Sequence, residues 1–310
     1  MLQLTLKKLI QGILMLLIVS SITFTLLSSA GGDALTNLRD NPQISEQTIR
    51  GLQKVYGLDR PFLERYGSWL GRSVQGDLGE SFSFRIPVAS LVWSRFLNTV
   101  ILSVTALIFA VGVSFALGFL SVRYKSRTLA TVVEALILVT ASAPRMVLAL
   151  FALLVMLRMG AIGPASGSIG VFQLVMGAVV LSMPVISVLL AQLRSGLSDA
   201  MNEDFVTVAR AKGLSEWNVI TQHAWRASLN PFLTMAGVSL GGLFGGSVIV
   251  ETVLGWPGIG ALMIAAVRGR DVPLVMGVVI TASAAVWLGN AVAEYLQFLN
   301  DKRLRSGDLT

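Results

Sequence analysis

The sequence contains no cysteine and a single histidine, His223. Without cysteine the chain can form no disulfide, supply no thiol nucleophile and build no cysteine-based metal site. A single imidazole argues against a metal site that takes several histidines from this chain. Charged residues are also scarce, at 13% of 310 positions, which is about half the share of an ordinary soluble domain. These shortages point away from thiol and metal chemistry and away from a soluble chain.

Hydrophobic residues, by contrast, make up 54% of the sequence and form six long apolar runs. A helix needs about 20 mostly apolar residues to cross a bilayer. The predicted spans are residues 9–29, 97–122, 129–157, 171–193, 232–254 and 273–299. The first run is longer than the apolar core of a signal peptide, so we predict an uncleaved helix. The sequence therefore predicts an all-α, polytopic membrane protein with six transmembrane helices.

The stretch between the first two runs carries charges of both signs, glycine and proline. Short helices are predicted in it at residues 46–56, where apolar residues recur at helical spacing, and at residues 62–70. We therefore expect a small helical extracytoplasmic insert after the first helix. The predicted regions are an N-terminal transmembrane helix (1–29), the extracytoplasmic region (30–95), a five-helix core (96–300) with a cytoplasmic loop (194–230), and a cytoplasmic tail (301–310).

The net charge of +7 has two interpretations, nucleic-acid binding and the accumulation of Lys and Arg on cytoplasmic flanks of membrane helices. The positions favour the second. With the N-terminus in the cytoplasm, the two short outer loops hold only Arg158, Arg268 and Arg270. The cytoplasmic segments hold Lys7, Lys8, Arg123, Lys125, Arg127, Arg194, Arg210, Lys212, Arg226, Lys302, Arg303 and Arg305. This asymmetry predicts that both termini face the cytoplasm.

Glycine and proline mark places where the apolar helices pack or bend. The fifth run has overlapping small-xxx-small spacings, which permit close helix approach in a membrane. They indicate either contact with a partner subunit or packing within the chain. The glycines are Gly237, Gly241, Gly242, Gly245 and Gly246. Pro144 and Pro184 lie inside the third and fourth runs, where proline tends to kink a helix. Such kinks can open a translocation cavity, but they also occur in inert bundles.

A polar segment at residues 202–231 is about thirty residues long, whereas a plain connection between helices takes 2–8 residues. Its composition is helical from Glu203 to Lys212, and Gly213 stands where a helix C-cap is expected. Ser215, followed by Glu216, is a typical start of a second helix. We therefore predict two short helices that are joined at Gly213 and lie beneath the membrane domain.

Four stretches, in order, resemble motifs of one family. DFVTVARAKGLSEWNVITQHAWRASLNP (204–231) resembles the cytoplasmic coupling, or EAA, loop of ABC importer permeases in the peptide/opine/nickel form. LDRPFLERYGSWL with GDLGESF (58–82) resembles the extracytoplasmic segment of that family. GGSVIVETVLGWPGIG (245–260) with RDVPLVMG (270–277) resembles its fifth-helix exit and outer loop, and LNDKRLR (299–305) its C-terminal pattern. The resemblance covers nearly the whole chain.

Two positions depart from the general EAA pattern. Thr207-Val208-Ala209 stands where that pattern has Glu-Ala-Ala, and Arg226 stands near the place of its consensus proline. The peptide-type version allows the first departure. The resemblance is therefore closer to the first-permease type of the peptide/opine/nickel family than to sugar- or amino-acid-type permeases.

The resemblance implies a type I ABC importer permease fold. In that family a second homologous permease completes the pore, two cytoplasmic ATPases lie beneath, and an extracytoplasmic binding protein delivers the solute. This subunit would form half of a pore for di- or oligopeptides in a bacterial inner membrane, with nickel, metal-chelate, glutathione or opine uptake as alternatives. No cofactor is expected in the chain itself; ATP and Mg would be bound by the partners. The chain has no G-x-x-x-x-G-K-[ST] phosphate loop.

The resemblance also implies which residues contact the ATPase. They are Glu203, Asp204, Ala209, Arg210, Ala211, Lys212, Gly213 and Leu214. Two charges within the spans are further candidates. Arg145 lies near the middle of the third run, where a charge costs about 3 kcal/mol. One hypothesis is that it lines the translocation path and attracts an anionic group. The alternative is a structural pair with an acidic or carbonyl group. Glu251, beside the Gly-Trp-Pro-Gly break, contributes to an outer gate, or is an interfacial helix-end residue. Glu134, Glu251 and Glu294 are expected to reach polar surroundings.

Two other function classes are less consistent with the sequence. An intramembrane protease needs H-E-x-x-H, paired aspartates within the spans or a Ser–His pair, and no aspartate lies in a predicted span. A stand-alone channel or secondary carrier has no need of the polar segment at residues 202–231. We therefore expect a permease that is not itself an enzyme.

Overall fold

The computed structural model describes residues 2–29, 35, 45–55, 57, 59–124, 126–160 and 170–300. This part of the chain is helical, with one isolated antiparallel bridge between Glu80 and Pro87. Five helices are long and apolar enough to cross a membrane, and a sharply bent helix pair makes a sixth crossing if it is counted as one span. The all-α, polytopic class is confirmed. The predicted tail (301–310) lies outside the described residues.

The helices are numbered in chain order. They are α1 (Leu2–Ser29), α2 (Glu46–Val55), α3 (Phe62–Ser73), α4 (Val88–Tyr124), α5 (Arg127–Ser142), α6 (Arg145–Arg158), α7 (Val171–Met201), α8 (Asp204–Ala211), α9 (Glu216–Asn218), α10 (Trp225–Leu254), α11 (Ile259–Arg268) and α12 (Val272–Asn300). A π-helical segment, Val219–Ala224, joins α9 to α10. Four helices extend well beyond the predicted spans: α1 begins at Leu2, α4 begins at Val88, α7 continues to Met201 and α10 begins at Trp225.

The third predicted span is not one continuous helix. α5 and α6 meet at an angle of 99° across the short break between Ser142 and Arg145. Ala143 and Pro144 both have extended backbone conformations, with ψ of 119° and 129°. Proline disfavours the helical conformation of the residue before it and cannot donate a backbone hydrogen bond. Pro144 therefore breaks the span, whereas Pro184 is accommodated inside the uninterrupted helix α7.

The chain divides into two compact units, of which the first comprises Met1–Thr99 and Pro257–Ala285. In this unit the Tyr66 hydroxyl of α3 lies 2.9 Å from the hydroxyls of Ser20 and Ser21 on α1. Phe24 packs beside the same tyrosine, with ring centroids 5.4 Å apart. The short helix α3 is thus held against α1 by ring packing and hydroxyl contacts.

A larger apolar cluster of the same unit contains side chains from the start of α4, from α11 and from the start of α12.

Asp271 organises the polar part of the first unit. Its side chain is fully buried, and its Oδ1 accepts a hydrogen bond from the Leu274 amide at 3.2 Å, which caps α12. Its Oδ2 accepts from the Ser81 hydroxyl at 2.6 Å and from the Ser83 amide at 2.9 Å. A side-chain oxygen that accepts an amide three residues later is the usual N-cap arrangement. One carboxylate therefore caps α12 and also fixes the loop before α4.

The second unit comprises Val100–Trp256 and Val286–Thr310, and its core lies between α7 and α10. The fully buried side chains there include Leu181, Leu189 and Leu193 of α7. At Gly196 of α7 an added Cβ atom would lie 3.3 Å from the Cα atom of Ser228 on α10. The backbones of α7 and α10 therefore approach closely at the ends that we predict to be cytoplasmic. On the same side of the unit, Arg194 forms a 2.9 Å ion pair with Glu134 of α5.

The glycines of α10 divide into two groups. Gly237 and Gly241 pack within the chain, because added Cβ atoms would meet Ala293 at 2.6 Å and Asn290 at 2.9 Å on α12. Gly246 faces Arg145 of α6. Gly242 and Gly245 would meet nothing within 4 Å. Close packing against a helix of the same chain is thus confirmed at Gly237 and Gly241.

Candidate coupling site

The polar segment contains a short amphipathic helix, α8, as predicted. Val206 and Ala209 lie three residues apart on one face and are buried against Val219 of the π-helical segment and the partly buried Met201. The opposite side, including Val208, is exposed. A helix of eight residues has little stability of its own, so this small apolar cluster is what holds α8 in place.

A glycine turn ends α8. Gly213 has a φ of +79°, in the left-handed region that glycine adopts without penalty. Its amide donates to the Arg210 carbonyl at 2.9 Å, and the Leu214 amide donates to the Ala209 carbonyl at 3.3 Å. These two bonds form a Schellman motif, which closes the helix and reverses the chain. The predicted helix end at Gly213 is therefore confirmed.

The following helix begins at once and is tied back to α8. The Ser215 hydroxyl accepts a hydrogen bond from the Asn218 amide at 3.3 Å, so Ser215 is the N-cap. The Arg210 guanidinium donates to both oxygens of Glu216, at 2.8 and 3.4 Å. Fork-shaped pairing of this kind fixes direction as well as distance. The Schellman turn and the ion pair together set the angle between α8 and the next helix.

The second helix of the segment is not a separate short element, which corrects the prediction. Helical backbone runs on from α9 through Val219–Ala224 into α10. Within this stretch the Trp225 amide donates to the Ile220 carbonyl, five residues back, as in a π-helix. α9 and the membrane-spanning part of α10 therefore belong to one continuous helical stretch.

The exposed surface of α8 and its turn combines apolar and charged groups. Phe205, Val208 and Leu214 are 40%, 52% and 38% exposed. The acidic Glu203 and Asp204 lie at the N-terminal end, where carboxylates interact favourably with the helix dipole, and the exposed Lys212 lies at the other end. Such a surface, apolar in the middle and charged at its margins, has the composition of a protein-binding site.

The structure brings the eight predicted coupling residues together, but not all on one surface. Ala209 is 5% exposed and supports α8 from within, so it is not available to a partner. Arg210 is paired with Glu216. Sequence reasoning missed Phe205 and Val208, although their spacing of three residues on a helix that also buries Val206 and Ala209 indicates a second apolar face.

The two predicted intramembrane sites lie elsewhere in the second unit. Arg145 is the first residue of α6, directly after the break, and its Nη1 lies only 2.5 Å from where a Gly246 Cβ would stand. Glu251 is fully buried within α10. It lies in the last turn of the helix, as predicted, because α10 ends at Leu254 and is closed by Gly255 at φ +69°.

Metal ligation finds no support in the described part of the chain, where no group of three or more His, Cys, Asp or Glu side chains could hold an ion.

Comparison with known proteins identifies the family. The family model described as "Binding-protein-dependent transport system inner membrane component" matches residues 108–306, and the model of its N-terminal region matches residues 1–105. The chain belongs to this family. The permease is 31% identical to the glutathione transport system permease protein GsiC of Escherichia coli K12, over 96% of each chain. It is 29% identical to the oligopeptide transport system permease protein AppB of Bacillus subtilis, over 96% of this chain and 98% of that one.

Two further similarities agree with this assignment. A Brucella suis protein that is named as a peptide permease is 31% identical over 98% of this chain and 99% of its own length. The crystal structure of an amino acid ABC transporter with histidines matches with a TM-score of 0.54, 18% identity, and coverage of 69% of this permease and 94% of that chain. The permease is thus a membrane subunit of the ABC importer type, with the fold that the resemblance implied.

Proposed function

We propose that this permease forms half of the translocation pore of an ATP-driven importer of di- or oligopeptides. The observation that carries the solute class is the end-to-end similarity to relatives named as peptide permeases. A second homologous permease completes the pore, an extracytoplasmic binding protein delivers the peptide, and ATP with Mg is bound by two cytoplasmic ATPase subunits. This chain hydrolyses nothing itself, which is consistent with its lack of a phosphate-loop motif.

Glutathione is the second candidate solute, because an equally similar relative is named as a glutathione permease. Glutathione is itself a small peptide, so the same kind of pore suits both. Uptake of radiolabelled trialanine and of radiolabelled glutathione by proteoliposomes that contain the complete complex distinguishes them. ATP-dependent uptake of trialanine supports the first solute class, and uptake of glutathione alone supports the second. A complex that moves neither solute contradicts both.

The orientation that we propose places both termini and the coupling segment in the cytoplasm. This orientation is supported by the excess of Lys and Arg in the segments that it places in the cytoplasm. The exposed surface formed by Phe205, Val208 and Leu214 then faces the ATPases. We define these three side chains as the coupling surface, with Glu203, Asp204 and Lys212 at its margins.

Arg145 is the residue that we propose attracts the peptide carboxylate along the path. It stands at a break in a span, where a charge can be reached by water or solute, and beside a glycine that leaves room for the guanidinium. Arg145→Gln is expected to lower the uptake rate at least fivefold. Arg158→Gln, at the other end of α6, is the control and should transport normally. Unchanged uptake of all solutes by the Arg145 variant would remove this role.

Glu251 remains a proposed component of the outer gate. It is buried one turn before the left-handed Gly255, and the Gln173 side chain donates to the neighbouring Leu254 carbonyl at 2.8 Å, so α7 is bonded to this helix end. Maleimide labelling of a cysteine placed at Glu251, which is buried in this conformation, should depend on ATP. Labelling that is the same in every nucleotide state would contradict a gate.

A further inference from the structure

Five aromatic side chains form a continuous series beside the coupling segment. The rings, in order of contact, belong to Trp217, Phe119, Trp225, Phe115 and Phe232. Consecutive ring centroids lie 5.4, 5.8, 4.7 and 6.1 Å apart, and the first three pairs are close to perpendicular, at 81°, 89° and 88°. Edge-to-face packing within about 7 Å is the favourable geometry for such rings. We call this series the aromatic ladder.

The ladder alternates between two helices. Phe115 and Phe119 lie one turn apart on α4, while Trp217, Trp225 and Phe232 lie on the helical stretch from α9 into α10. At one end Trp217 is partly exposed, two residues after the N-cap that follows the coupling surface. At the other end Phe232 is buried in the core between α7 and α10. The rings therefore connect the coupling segment to the membrane core of the same unit.

The π-helical segment is what puts Trp217 on this face. Trp225 and Phe232 are seven residues apart, which differs from two full α-helical turns by only about 20°. Trp217 and Trp225 are eight residues apart, and in an α-helix the two side chains would diverge by about 80°. The wider turn at Val219–Ala224 accommodates the extra residue, so both tryptophan rings contact Phe119 and lie nearly perpendicular to its ring. Segments of this kind inside α-helices frequently mark functional sites.

We propose that the aromatic ladder, kept in register by the π-helical segment, carries the displacement of the coupling segment into α4 and α10 during each ATP cycle. Large flat rings that interlock edge to face move as a unit, because a packed contact has few alternative arrangements. A push on α8 then reaches α10 by two routes, along its own helix and through the rings to α4. This inference rests on the proposed function, since the push comes from the ATPase.

The test removes one ring from the middle of the ladder. Phe119→Leu keeps an apolar side chain of similar size but cannot bridge Trp217 and Trp225, whereas Phe119→Tyr keeps the ring. Phe109→Leu is the matched control, because Phe109 is an exposed phenylalanine on the same helix and belongs to none of these ring pairs. Phe119 is thus tested as a positioning residue.

The readout is the ATP-dependent labelling of one thiol at the far end of α10. The chain has no cysteine, so Ile249→Cys introduces its only thiol, 24 residues from Trp225 and about 36 Å along the helix. In the complete complex, maleimide labelling of this subunit is expected to change severalfold when ATP is added. With Phe119→Leu the change should fall at least fivefold while ATP hydrolysis continues; with Phe119→Tyr or Phe109→Leu it should remain.

The failures of the two proposals are distinguishable. The role of the ladder would be overturned if the Phe119→Leu complex showed a normal ATP-dependent change in labelling and a normal ratio of that change to its ATP hydrolysis rate. The proposed function would remain intact. A loss of thermal stability with labelling and hydrolysis reduced in parallel would also overturn the role of the ladder, since the ring would then be only structural. If the complex without the Phe119 change neither binds an ATPase nor responds to ATP, the proposed function fails and the inference fails with it.

Discussion

Val208→Asp is expected to weaken the association between this permease and its ATPase strongly. The side chain is 52% exposed on the free subunit and lies at the middle of the coupling surface. An aspartate there is solvated while the subunit is alone, but it becomes an unpaired charge in an apolar contact once the ATPase binds. The expected loss is at least about 2 kcal/mol of binding free energy, which is roughly a 30-fold weaker complex. Co-purification and the solute-stimulated ATPase rate measure this loss.

The control is the same substitution at another exposed valine. Val74 is 83% exposed and lies just after α3, in the first compact unit. Val74→Asp should bind the ATPase normally. Valine and aspartate have similar helix propensities, so Val208→Asp should not unfold α8. Normal copurification of the Val208 variant, or an equal loss in both variants, would mean that this surface is not where the ATPase docks.

The second large effect is expected from Asp271→Ala in the first compact unit. The change leaves the Ser81 hydroxyl and the Ser83 and Leu274 amides without their acceptor. Each buried polar group that loses its partner costs about 1–3 kcal/mol. We therefore expect a loss of several kcal/mol in the free energy of unfolding, seen as a lower midpoint in thermal unfolding of the detergent-solubilised subunit. Asp271→Asn retains one carbonyl oxygen and should lose less.

Glu80→Ala is the control for this prediction. Glu80 is an exposed acidic residue in the same loop, and its antiparallel bridge to Pro87 uses only the backbone. The midpoint of that variant should stay within a degree or two of the unchanged protein, as is usual for a surface substitution. If Asp271→Ala unfolds at the same temperature as Glu80→Ala, the carboxylate does not have the organising role that its three hydrogen bonds imply.

Much of the fold could be predicted because lipid restricts the choices. Long apolar runs must become helices in a bilayer, since only internal hydrogen bonds satisfy the backbone there. The ends of α8 could be predicted as well, because Gly213 and Ser215 are residues that a helix stop and a helix start require for local reasons. These features depend on a few neighbouring residues and on no distant contact.

Other features depend on contacts that composition does not reveal. The break between α5 and α6 is sharp because Ala143 and Pro144 both remain extended, whereas Pro184, in an equally apolar run, stays helical. The residues around Pro144 and those around Pro184 do not by themselves show which proline breaks its helix. The burial of Ala209, the pairing of Arg210 with Glu216 and the alignment of Trp217 through a π-helical turn all arise from tertiary packing. The helix and the turn of the coupling segment could thus be predicted, but which of its side chains are exposed could not, and their contact with the ATPase stays a prediction.

The most direct test of the account uses Val208→Cys, which creates the only thiol in the chain. The first step asks from which side of the membrane a charged, impermeant maleimide labels it; the second asks whether a short thiol-reactive crosslinker joins it to the ATPase in the assembled complex. If α8 lies in the cytoplasm against the ATPase, we expect labelling in inside-out vesicles but not in spheroplasts, together with a crosslink to the ATPase whose yield changes with ATP. Labelling in spheroplasts, or an active complex in which residue 208 never crosslinks to the ATPase, would contradict it.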